Sequence, residues 1–328
     1  MPTVLIGPSP LRHQSGSFRR ILEESGFTTV DPEGNDTLSQ EQLRAYLPEA
    51  DAMVAGGEAI TAELLAVAPR LRVIARTGVG YDAVDLPGAS ARGVVVTITP
   101  GTNQDSVAEQ AFALLLALTR RVAVNDRIIR EGGWDRTLPR PVRGLSLGLV
   151  GLGRIGRAMV PRALAFGLRV VAYDPLPPSA FEPAHGVLRR GLEELLAESD
   201  VVSLHLPLTD ATRGLFHRGT FARMRPGSLL LNTARGGLIV EPDLREALTS
   251  GHLAGAGLDV LDPEPPAPEN PLLRLPNVVF SPHIGGIDSR AMADMADLAA
   301  RCIVDLARGR WPSECVVNPE IAEGWRWA

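Results

Sequence analysis

The stretch Ser146-Leu-Gly-Leu-Val-Gly-Leu-Gly-Arg-Ile-Gly156 decides the fold of this chain. It is an apolar run that ends in glycines and continues as a helical pattern. Gly151, Gly153 and Gly156 have the spacing G-x-G-x-x-G, in which the first glycine makes a tight strand-to-helix turn. The second lets the backbone approach a pyrophosphate, and the third permits close helix packing. The spacing therefore predicts a dinucleotide on this turn, with its phosphates at the positive end of the following helix.

The residues after the glycines support this prediction. A second β run covers 168–173 and is followed by Asp174, at the distance where an acidic residue binds the ribose. Such a carboxylate accepts a hydrogen bond from a 2′-hydroxyl but repels a 2′-phosphate, which predicts NAD rather than NADP. The spacing alone is weak in a chain with 33 glycines. A β-turn-α unit without a ligand is therefore the alternative interpretation.

The composition excludes several classes of protein. A chain of 328 residues with 45% hydrophobic content suggests about two domains. Its net charge of -5 gives no general attraction to nucleic acid or to an anionic membrane. Cys302 and Cys315 are too few for a disulfide framework and lack metal-ligand spacing. These features, and an N-terminus without a signal peptide or membrane span, predict a cytoplasmic protein without a metal site.

Strand-like runs alternate with helical patterns through the first hundred residues. Strands are predicted at 4–7, 28–30, 52–55, 72–76 and 94–98, and helices at 18–25 and 62–68. This alternation is typical of a parallel, doubly wound sheet. Because this part of the chain contains no G-x-G-x-x-G, we predict that it forms the substrate domain.

The middle of the chain begins with a long apolar helix, predicted at 103–118. Asn103, Asp105 or Ser106 can cap it. Since it is apolar on most faces, we expect it to be buried between layers and to link the two domains. The segment 131–144, rich in proline and glycine, is interpreted as an arm that packs on another subunit.

The remaining pattern completes the domain prediction. Further β runs at 201–206, 228–232, 255–259 and 278–281 make six strands together with the two earlier ones, enough for a dinucleotide-binding sheet. A last helix, 289–308, returns to the first domain. We predict an α/β protein with two doubly wound parallel sheets, in which a Rossmann cofactor domain (102–287) is inserted into a flavodoxin-like substrate domain (1–101 and 288–328). Pro161 is expected to kink the helix after the glycine turn, and the pattern gives no functional reason for it.

Three charged residues follow predicted strands, where ligands bind in open α/β sheets. They are Arg235, Glu264 and His283. Hydride exchange between a nicotinamide and a 2-hydroxy or 2-oxo acid needs a cation for the carboxylate and an acid/base near neutrality. The planar guanidinium of arginine suits the first need. Histidine suits the second, and a neighbouring carboxylate stabilises its imidazolium. Taken singly, the three could be a surface ion pair, a loop charge and a packing histidine.

Five motifs together resemble the D-isomer-specific 2-hydroxyacid dehydrogenase family. They are Gly-Leu-Gly-Arg-Ile-Gly156, His-Leu-Pro-Leu-Thr209, Asn-Thr-Ala-Arg-Gly-Gly237, Gly-Leu-Asp-Val260 with Glu-Pro-Pro266, and Ser-Pro-His-Ile-Gly-Gly286. The resemblance covers nearly the whole chain. It implies that Arg235 holds the substrate carboxylate and carbonyl, that His283 transfers the proton, and that Glu264 pairs with the histidine.

The resemblance also implies a binding set for NAD and for the substrate. The substrate set is Arg76, Val79, Gly80, Arg235 and His283. The NAD set is Val107, Gly151, Gly153, Arg154, Ile155, Gly156, Asp174, His205, Pro207, Thr212, Thr233, Ala234, Asp259, His283, Gly285 and Gly286. Asp259 is expected on the nicotinamide side. A homodimer built through the cofactor domains is expected as well.

Departures from the family pattern bear on the substrate. Residues 81–85 read Tyr-Asp-Ala-Val-Asp, where many relatives carry Asn. Arg76 matches an arginine that contacts the substrate phosphate in phosphoglycerate dehydrogenases, whereas the region 56–58, Gly-Gly-Glu, has no cation where those enzymes have one. The chain ends without their regulatory extension. The expected substrate is a small 2-hydroxy acid with a distal phosphate or phosphonate, such as 3-phosphoglycerate.

Two alternatives remain open at this point. A glyoxylate or hydroxypyruvate reductase needs no distal cation. A nucleotide-sensing binding protein of the corepressor type shares the fold and the same residues, and fold alone does not separate it from an enzyme. The absence of long low-complexity tails favours the enzyme.

Overall fold

The computed structural model describes residues 1–34 and 36–327. The chain divides into two compact units. The first unit comprises Met1–Asn103 and the chain from Asp288 onward, and the second unit is Gln104–Ile287. None of the helices in the described ranges is long and apolar enough to cross a bilayer.

The first unit is a five-stranded parallel sheet with helices on both faces. Its strands are β1 (Thr3–Ile6), β2 (Thr28–Val30), β3 (Ala52–Ala55), β4 (Val73–Arg76) and β5 (Val95–Thr97), in the order β2-β1-β3-β4-β5. This is the flavodoxin-like order. Every residue of β3, β4 and β5 is buried, as expected for strands covered on both faces. The predicted doubly wound fold is confirmed for this unit.

Two helical layers cover this sheet. The helices are α1 (Ser17–Glu23), α2 (Gln40–Tyr46), α3 (Ala62–Ala66), α4 (Leu86–Ala91) and the late helix α12 (Ser289–Ala307). Side chains of α1 and α12 form one core with Val4 and Val54. Side chains of α2, α3 and α4 form a second core with Leu5 and Met53. The alternation of Val4 and Leu5 between the two cores follows from the two-residue period of a strand.

The second unit is a seven-stranded parallel sheet. Its strands are β6 (Ser146–Val150), β7 (Arg169–Tyr173), β8 (Leu188–Arg189), β9 (Val201–Leu204), β10 (Ser228–Asn232), β11 (Leu253–Leu258) and β12 (Val278–Phe280), in the order β12-β11-β10-β9-β6-β7-β8. The prediction of six strands was wrong by one, because two-residue β8 is too short to leave a periodic signal.

Seven helices surround the second sheet within the described ranges. They are α5 (Gln104–Thr119), α6 (Val122–Arg130), α7 (Arg154–Ala165), α8 (Phe181–Ala184), α9 (Leu192–Glu198), α10 (Arg218–Arg223) and α11 (Glu241–Thr249). Helix α5 buries Ala108 and Leu115 in a core shared with β6 and β7. Helix α7 continues through Pro161, which is exposed. Packing of its buried neighbours Val160 and Ala163 offsets the backbone donor that proline lacks.

Candidate active site

The glycine turn joins the end of β6 to the start of α7. Gly151 has φ +105°, and a Cβ there would lie 2.7 Å from the backbone carbon of His205. A Cβ at Gly156 would lie 2.2 Å from the carbonyl oxygen of Gly151. Gly153, by contrast, is exposed and a Cβ on it would meet nothing within 4 Å. The first and third glycines are therefore required by packing, whereas the second leaves open backbone beside a helix N-terminus, where phosphates bind.

Asp174 is fixed at the mouth of this turn. It lies directly after β7, where its Oδ2 accepts from the amide of Leu152 at 2.7 Å and its Oδ1 accepts from the amide of Leu176 at 2.8 Å. Arg189 donates to the Asp174 carbonyl at 2.5 Å. The carboxylate is thus held in one orientation beside the glycines, as a ribose ligand requires.

Two buried polar atoms near the ends of β9 and β10 have no partner among the described residues. They are His205 Nδ1 and Thr233 Oγ1. The other nitrogen of His205, Nε2, shares a 2.9 Å hydrogen bond with Ser203 Oγ, and burial lowers the pKa of His205 to about 4. The imidazole is therefore neutral at pH 7. Since buried polar groups are normally hydrogen-bonded, these atoms are available to a bound molecule such as a dinucleotide.

Arg235 lies on the loop after β10, and two hydrogen bonds of the Asn232 side chain fix the backbone of this loop. Asn232 Oδ1 accepts from the amide of Ala234 at 3.0 Å, while Asn232 Nδ2 donates to the Arg235 carbonyl at 2.8 Å. A Cβ at Gly236 would lie 2.1 Å from the Leu261 backbone, so only glycine lets the two loops approach. In the motif Asn-Thr-Ala-Arg-Gly, the asparagine and the glycine thus fix the loop that carries the Arg235 guanidinium.

Glu264 and His283 are hydrogen-bonded to each other. Nδ1 of His283 lies 2.6 Å from Glu264 Oε2, and Glu264 Oε1 accepts from the Leu261 amide at 3.0 Å. Burial raises the pKa of Glu264, but hydrogen bonding to His283 and the charges of His283 and Arg235 outweigh burial, so the net pKa is lowered. The three residues predicted from the sequence therefore interact in one place, where the Glu264 carboxylate is hydrogen-bonded to His283 and lies within the field of Arg235.

Buried Asp259 holds the segment that carries His283. Its Oδ1 accepts from Ser281 Oγ at 2.5 Å and from the Ile284 amide at 3.0 Å, and its Oδ2 accepts from the Gly285 amide at 2.8 Å. The carbonyl of Asp259 also accepts from the His283 amide at 2.8 Å. His283 itself has φ 53°, a strained conformation for a non-glycine residue that persists only where its surroundings impose it.

Sequence reasoning missed several of the residues that support this segment. Gln110 Nε2 donates to Ser281 Oγ at 2.8 Å, and Ser106 Oγ donates to the Gly285 carbonyl at 2.8 Å. Ser106 was considered only as a cap of α5. The polar residues of an otherwise apolar helix were the signal that could have found them, because a buried polar side chain needs a partner.

Other predicted residues lie on helices, strands and loops of both units. In the second unit, Thr212 Oγ1 donates to the Pro207 carbonyl at 2.6 Å within one loop. Val107 is buried on α5, and Arg154 is the first residue of α7.

In the first unit, buried Arg76 ends β4 and its Nε donates to the Gly80 carbonyl at 3.1 Å. Val79 between them is 36% exposed. The first unit therefore presents a short loop, tied back by Arg76, at the carboxyl end of β4.

Comparison with known proteins places these features in one family. A profile described as the D-isomer specific 2-hydroxyacid dehydrogenase, NAD binding domain, matches residues 112–285. The chain is 42% identical to a glyoxylate reductase from Korarchaeum cryptofilum over 270 residues, which are 80% of this chain and 81% of the relative. It is 43% identical to a D-3-phosphoglycerate dehydrogenase from Mycobacterium tuberculosis over 299 residues, 88% of this chain but only 56% of that relative.

A solved structure shows the same architecture. The structure of a protein from Thermus thermophilus superposes with a TM-score of 0.86 at 41% identity, covering 96% of this chain and 99% of the other. The doubly wound sheets, the glycine turn and the Arg235, Glu264 and His283 cluster define an NAD-dependent oxidoreductase that acts on CH-OH groups. The chain belongs to the D-isomer specific 2-hydroxyacid dehydrogenase family.

Proposed function

We propose that the protein exchanges a hydride between NAD(H) and a small D-2-hydroxy or 2-oxo acid. The observation that carries this proposal is the 2.6 Å Glu264–His283 hydrogen bond beside the charge of Arg235, at the same end of the sheet as the glycine turn. A cation and an acid/base are thereby held together, as reduction of a carbonyl next to a carboxylate requires.

The residues of the second unit fit NAD. The open backbone at Gly153 and the start of α7 would hold the pyrophosphate, Asp174 the ribose, and His205 and Thr233 have buried polar atoms available for the rest. The other cofactor residues predicted above stay part of this proposal. When bound, the nicotinamide supplies or accepts the hydride at its C4.

His283 is proposed to move the proton. Its Nδ1 faces Glu264, which leaves Nε2 for the substrate oxygen, because the hydrogen bond at one ring nitrogen sets the role of the other. In reduction, protonated His283 donates from Nε2 to the developing alkoxide while Glu264 stabilises the imidazolium. Arg235 binds the carboxylate and the carbonyl oxygen through its fork of N–H donors. The loop with Val79 and Gly80 is proposed to bind the carboxylate with backbone amides.

Two substrate classes are candidates. Arg76 motivates the first, an acid with a distal phosphate or phosphonate such as 3-phosphoglycerate. The second, glyoxylate or hydroxypyruvate, is favoured by the 3.1 Å bond that engages Arg76 Nε with the Gly80 carbonyl, since this bond gives the guanidinium a role in holding its own loop. Names of both kinds occur among the relatives.

A panel of 2-oxo acids with NADH tests the proposal, with consumption of NADH by absorbance as the readout. We expect turnover of at least one short 2-oxo acid, and a higher kcat/KM with NADH than with NADPH because Asp174 repels a 2′-phosphate. NADH binding without turnover of any acid would instead support a nucleotide-sensing binding protein.

We also propose a homodimer built through the second unit. Helix α6 and the arm 131–144 expose Val122, Ile129, Trp134 and Leu138, the last two at 81% and 91%. Exposed apolar surface of this kind marks an interface. Replacing Trp134 and Leu138 by Ala is expected to shift sedimentation from dimer to monomer, whereas replacing exposed Leu176 by Ala is not. A wild-type monomer at micromolar concentration would refute the dimer.

A cytoplasmic location is proposed from the cysteines. Cys302 and Cys315 are buried free thiols, which a reducing compartment preserves. Fractionation of the source cells with an antibody to the protein tests this, and recovery outside the cytoplasmic fraction would contradict it.

A further inference from the structure

Glu58 is a buried carboxylate at the carboxyl end of the first sheet. It follows β3 by three residues and is 1% exposed. In the order β2-β1-β3-β4-β5, the connection from β1 leads to one side of the sheet and the connection from β3 leads to the other. Such a switch point opens a crevice outside the carboxyl ends of its two strands, which is where open α/β sheets bind ligands. Glu58 therefore lies at the place in this unit where the topology predicts a ligand.

The carboxylate lies directly against the ends of both strands. An ideal Cβ on Gly7, which follows β1, would be 2.9 Å from Glu58 Oε1, and one on Gly56, which follows β3, would be 3.4 Å from Oε2. A side chain at Gly7 would therefore displace the carboxylate, whereas one at Gly56 would only come into ordinary contact with it. Its Oε2 accepts from the Gly56 amide at 2.5 Å, but no described residue of this unit donates to Oε1.

Glu58 also lacks a counter-charge. No described arginine, lysine or histidine lies within ion-pair distance of it. Arg12, which is itself buried and contacts Gly7, directs its guanidinium at the carbonyl oxygens of Gly7, Gly34 and Asp36 instead. Buried carboxylates are normally paired or fully hydrogen-bonded because desolvation of an isolated charge is costly. Glu58 Oε1 is not one of the fully enclosed polar atoms that lack a partner, so a donor group of a ligand in the crevice can reach it.

We propose that Glu58 determines substrate specificity by accepting a hydrogen bond from a donor group on C3 or beyond of the substrate, a hydroxyl or a cationic nitrogen, and by repelling a distal phosphate. This inference rests on the proposed function and narrows its substrate class. The opposing interpretation is structural, in which Glu58 only caps the Gly56 amide.

The first test uses the wild-type enzyme and matched pairs of substrates. Hydroxypyruvate and pyruvate differ by one hydroxyl, and 2-oxo-5-guanidinopentanoate and 2-oxopentanoate differ by one cation. A hydrogen bond to a charged group contributes ~1.5–3 kcal/mol, so kcat/KM should be roughly 10- to 100-fold higher for the donor-bearing member of one pair. The pair that shows this preference identifies whether the donor group of the substrate is a hydroxyl or a cation. We expect 3-phosphohydroxypyruvate to be a poorer substrate than hydroxypyruvate.

The second test changes the residue. Glu58→Gln keeps the volume and the acceptor for Gly56 but removes the charge, and we expect the preference within the favoured pair to fall by roughly tenfold. Glu58→Met, which has no acceptor, should abolish the preference. Glu63→Gln is the matched control, since Glu63 is exposed on α3 five residues later, and the ratio should not change. Circular dichroism and thermal melting establish that each variant is folded.

The outcomes separate this inference from the proposed function. Turnover with equal kcat/KM for both members of each pair, or a preference for the phosphorylated acid, overturns the role of Glu58 while the dehydrogenase assignment stands. A ratio that stays unchanged in folded Glu58→Gln and Glu58→Met variants shows that Glu58 is structural. Failure of every 2-oxo acid to react overturns both.

Discussion

The two sheets carry charged residues at their carboxyl ends in different ways. In the second unit the carboxylates are satisfied by other side chains and amides: Glu264 bonds His283, and Asp259 accepts three hydrogen bonds. In the first unit Glu58 receives one backbone hydrogen bond. The difference indicates that the second unit is preorganised for a reaction common to the family. The first unit instead retains a carboxylate oxygen to which no described residue of that unit donates, and we propose that this oxygen discriminates between substrates.

The largest effect is expected on kcat, when the acid/base of the hydrogen-bonded network in the second unit is removed. His283→Ala removes the group that is proposed to transfer the proton, and kcat should fall by roughly 10²–10⁴-fold, measured as steady-state NADH oxidation with the best acid of the panel. His13→Asn is the control, because His13 is exposed and also has a positive φ, which Asn tolerates. Near wild-type turnover of His283→Ala would refute the assigned role.

A smaller effect is expected when Arg235, on the loop after β10, is replaced by lysine. This replacement tests whether Arg235 acts through its planar pair of N–H donors or only through its positive charge. Arg235→Lys keeps the positive charge but loses the planar pair of donors. Losing about 3 kcal/mol of charge-assisted bonding corresponds to a fall in kcat/KM of roughly 100-fold. Arg218→Lys, at an exposed ion pair with Glu246, should leave kcat/KM unchanged. If Arg235→Lys behaves like its control, Arg235 does not bind the carboxylate as proposed.

The two units also differ in how much of them could be predicted. The glycine turn, the clamped Arg235 loop and the Glu264–His283 pair follow from short motifs, because each requires a particular residue at a fixed offset: a missing Cβ at Gly156 and at Gly236, or an amide side chain at Asn232. Glu58 gave no such signal. Its position depends on Gly7, which follows β1, and on the amide of Gly56, which follows β3, and a contact between distant strands has no local pattern.

The helices of the first unit were predicted unevenly. Short α1 and α3, at seven and five residues, were predicted at 18–25 and 62–68, whereas α2 and α4, at seven and six residues, were not. Short helices are stabilised by tertiary packing rather than by their own propensity, so their local sequence pattern is an uneven guide. Gln110 was not predicted as a site residue, and the contacts by which Ser106 and Asp259 support the His283 segment became evident only from the fold.

The glycine turn provides a comparison within one loop. Gly153→Ala adds a methyl group in open space, so the melting temperature should not change. The methyl group would crowd the pyrophosphate, and overpacking of ~1–3 kcal/mol should raise the Kd for NADH by about tenfold in a fluorescence titration. Gly156→Ala should instead lower the melting temperature, because its Cβ would overlap the Gly151 carbonyl at 2.2 Å. Equal melting temperatures for the two variants would show that the third glycine is not required by packing.

The smallest effect is expected on the melting temperature, when two buried glutamates, Glu182 and Glu58, are each replaced. Glu182 accepts from the hydroxyl and amide of Ser179 and pairs with Arg189 at 2.9 Å. The Ser179 hydroxyl is the largest cause that lowers its pKa, to about 2 from an ordinary value of 4.5, against the opposing effect of burial. Because the pKa is lower in the folded state, Glu182 stabilises the fold above about pH 4.5, and this contribution is lost as the pH falls toward 2.

Removing each charge should therefore have opposite consequences. Glu182→Gln breaks a satisfied pair and, at ~1–3 kcal/mol, should lower the melting temperature at pH 7 by roughly 2–10 °C. The difference from wild type should shrink as the pH is lowered from 4.5. Glu58→Gln replaces a carboxylate that has no ion-pair partner among the described residues of its unit, and its melting temperature at pH 7 should equal or exceed that of the wild type. A loss of stability in Glu58→Gln as large as that in Glu182→Gln would mean that the carboxylate of Glu58 is already satisfied within the protein, and the contrast between the two sheets would not hold.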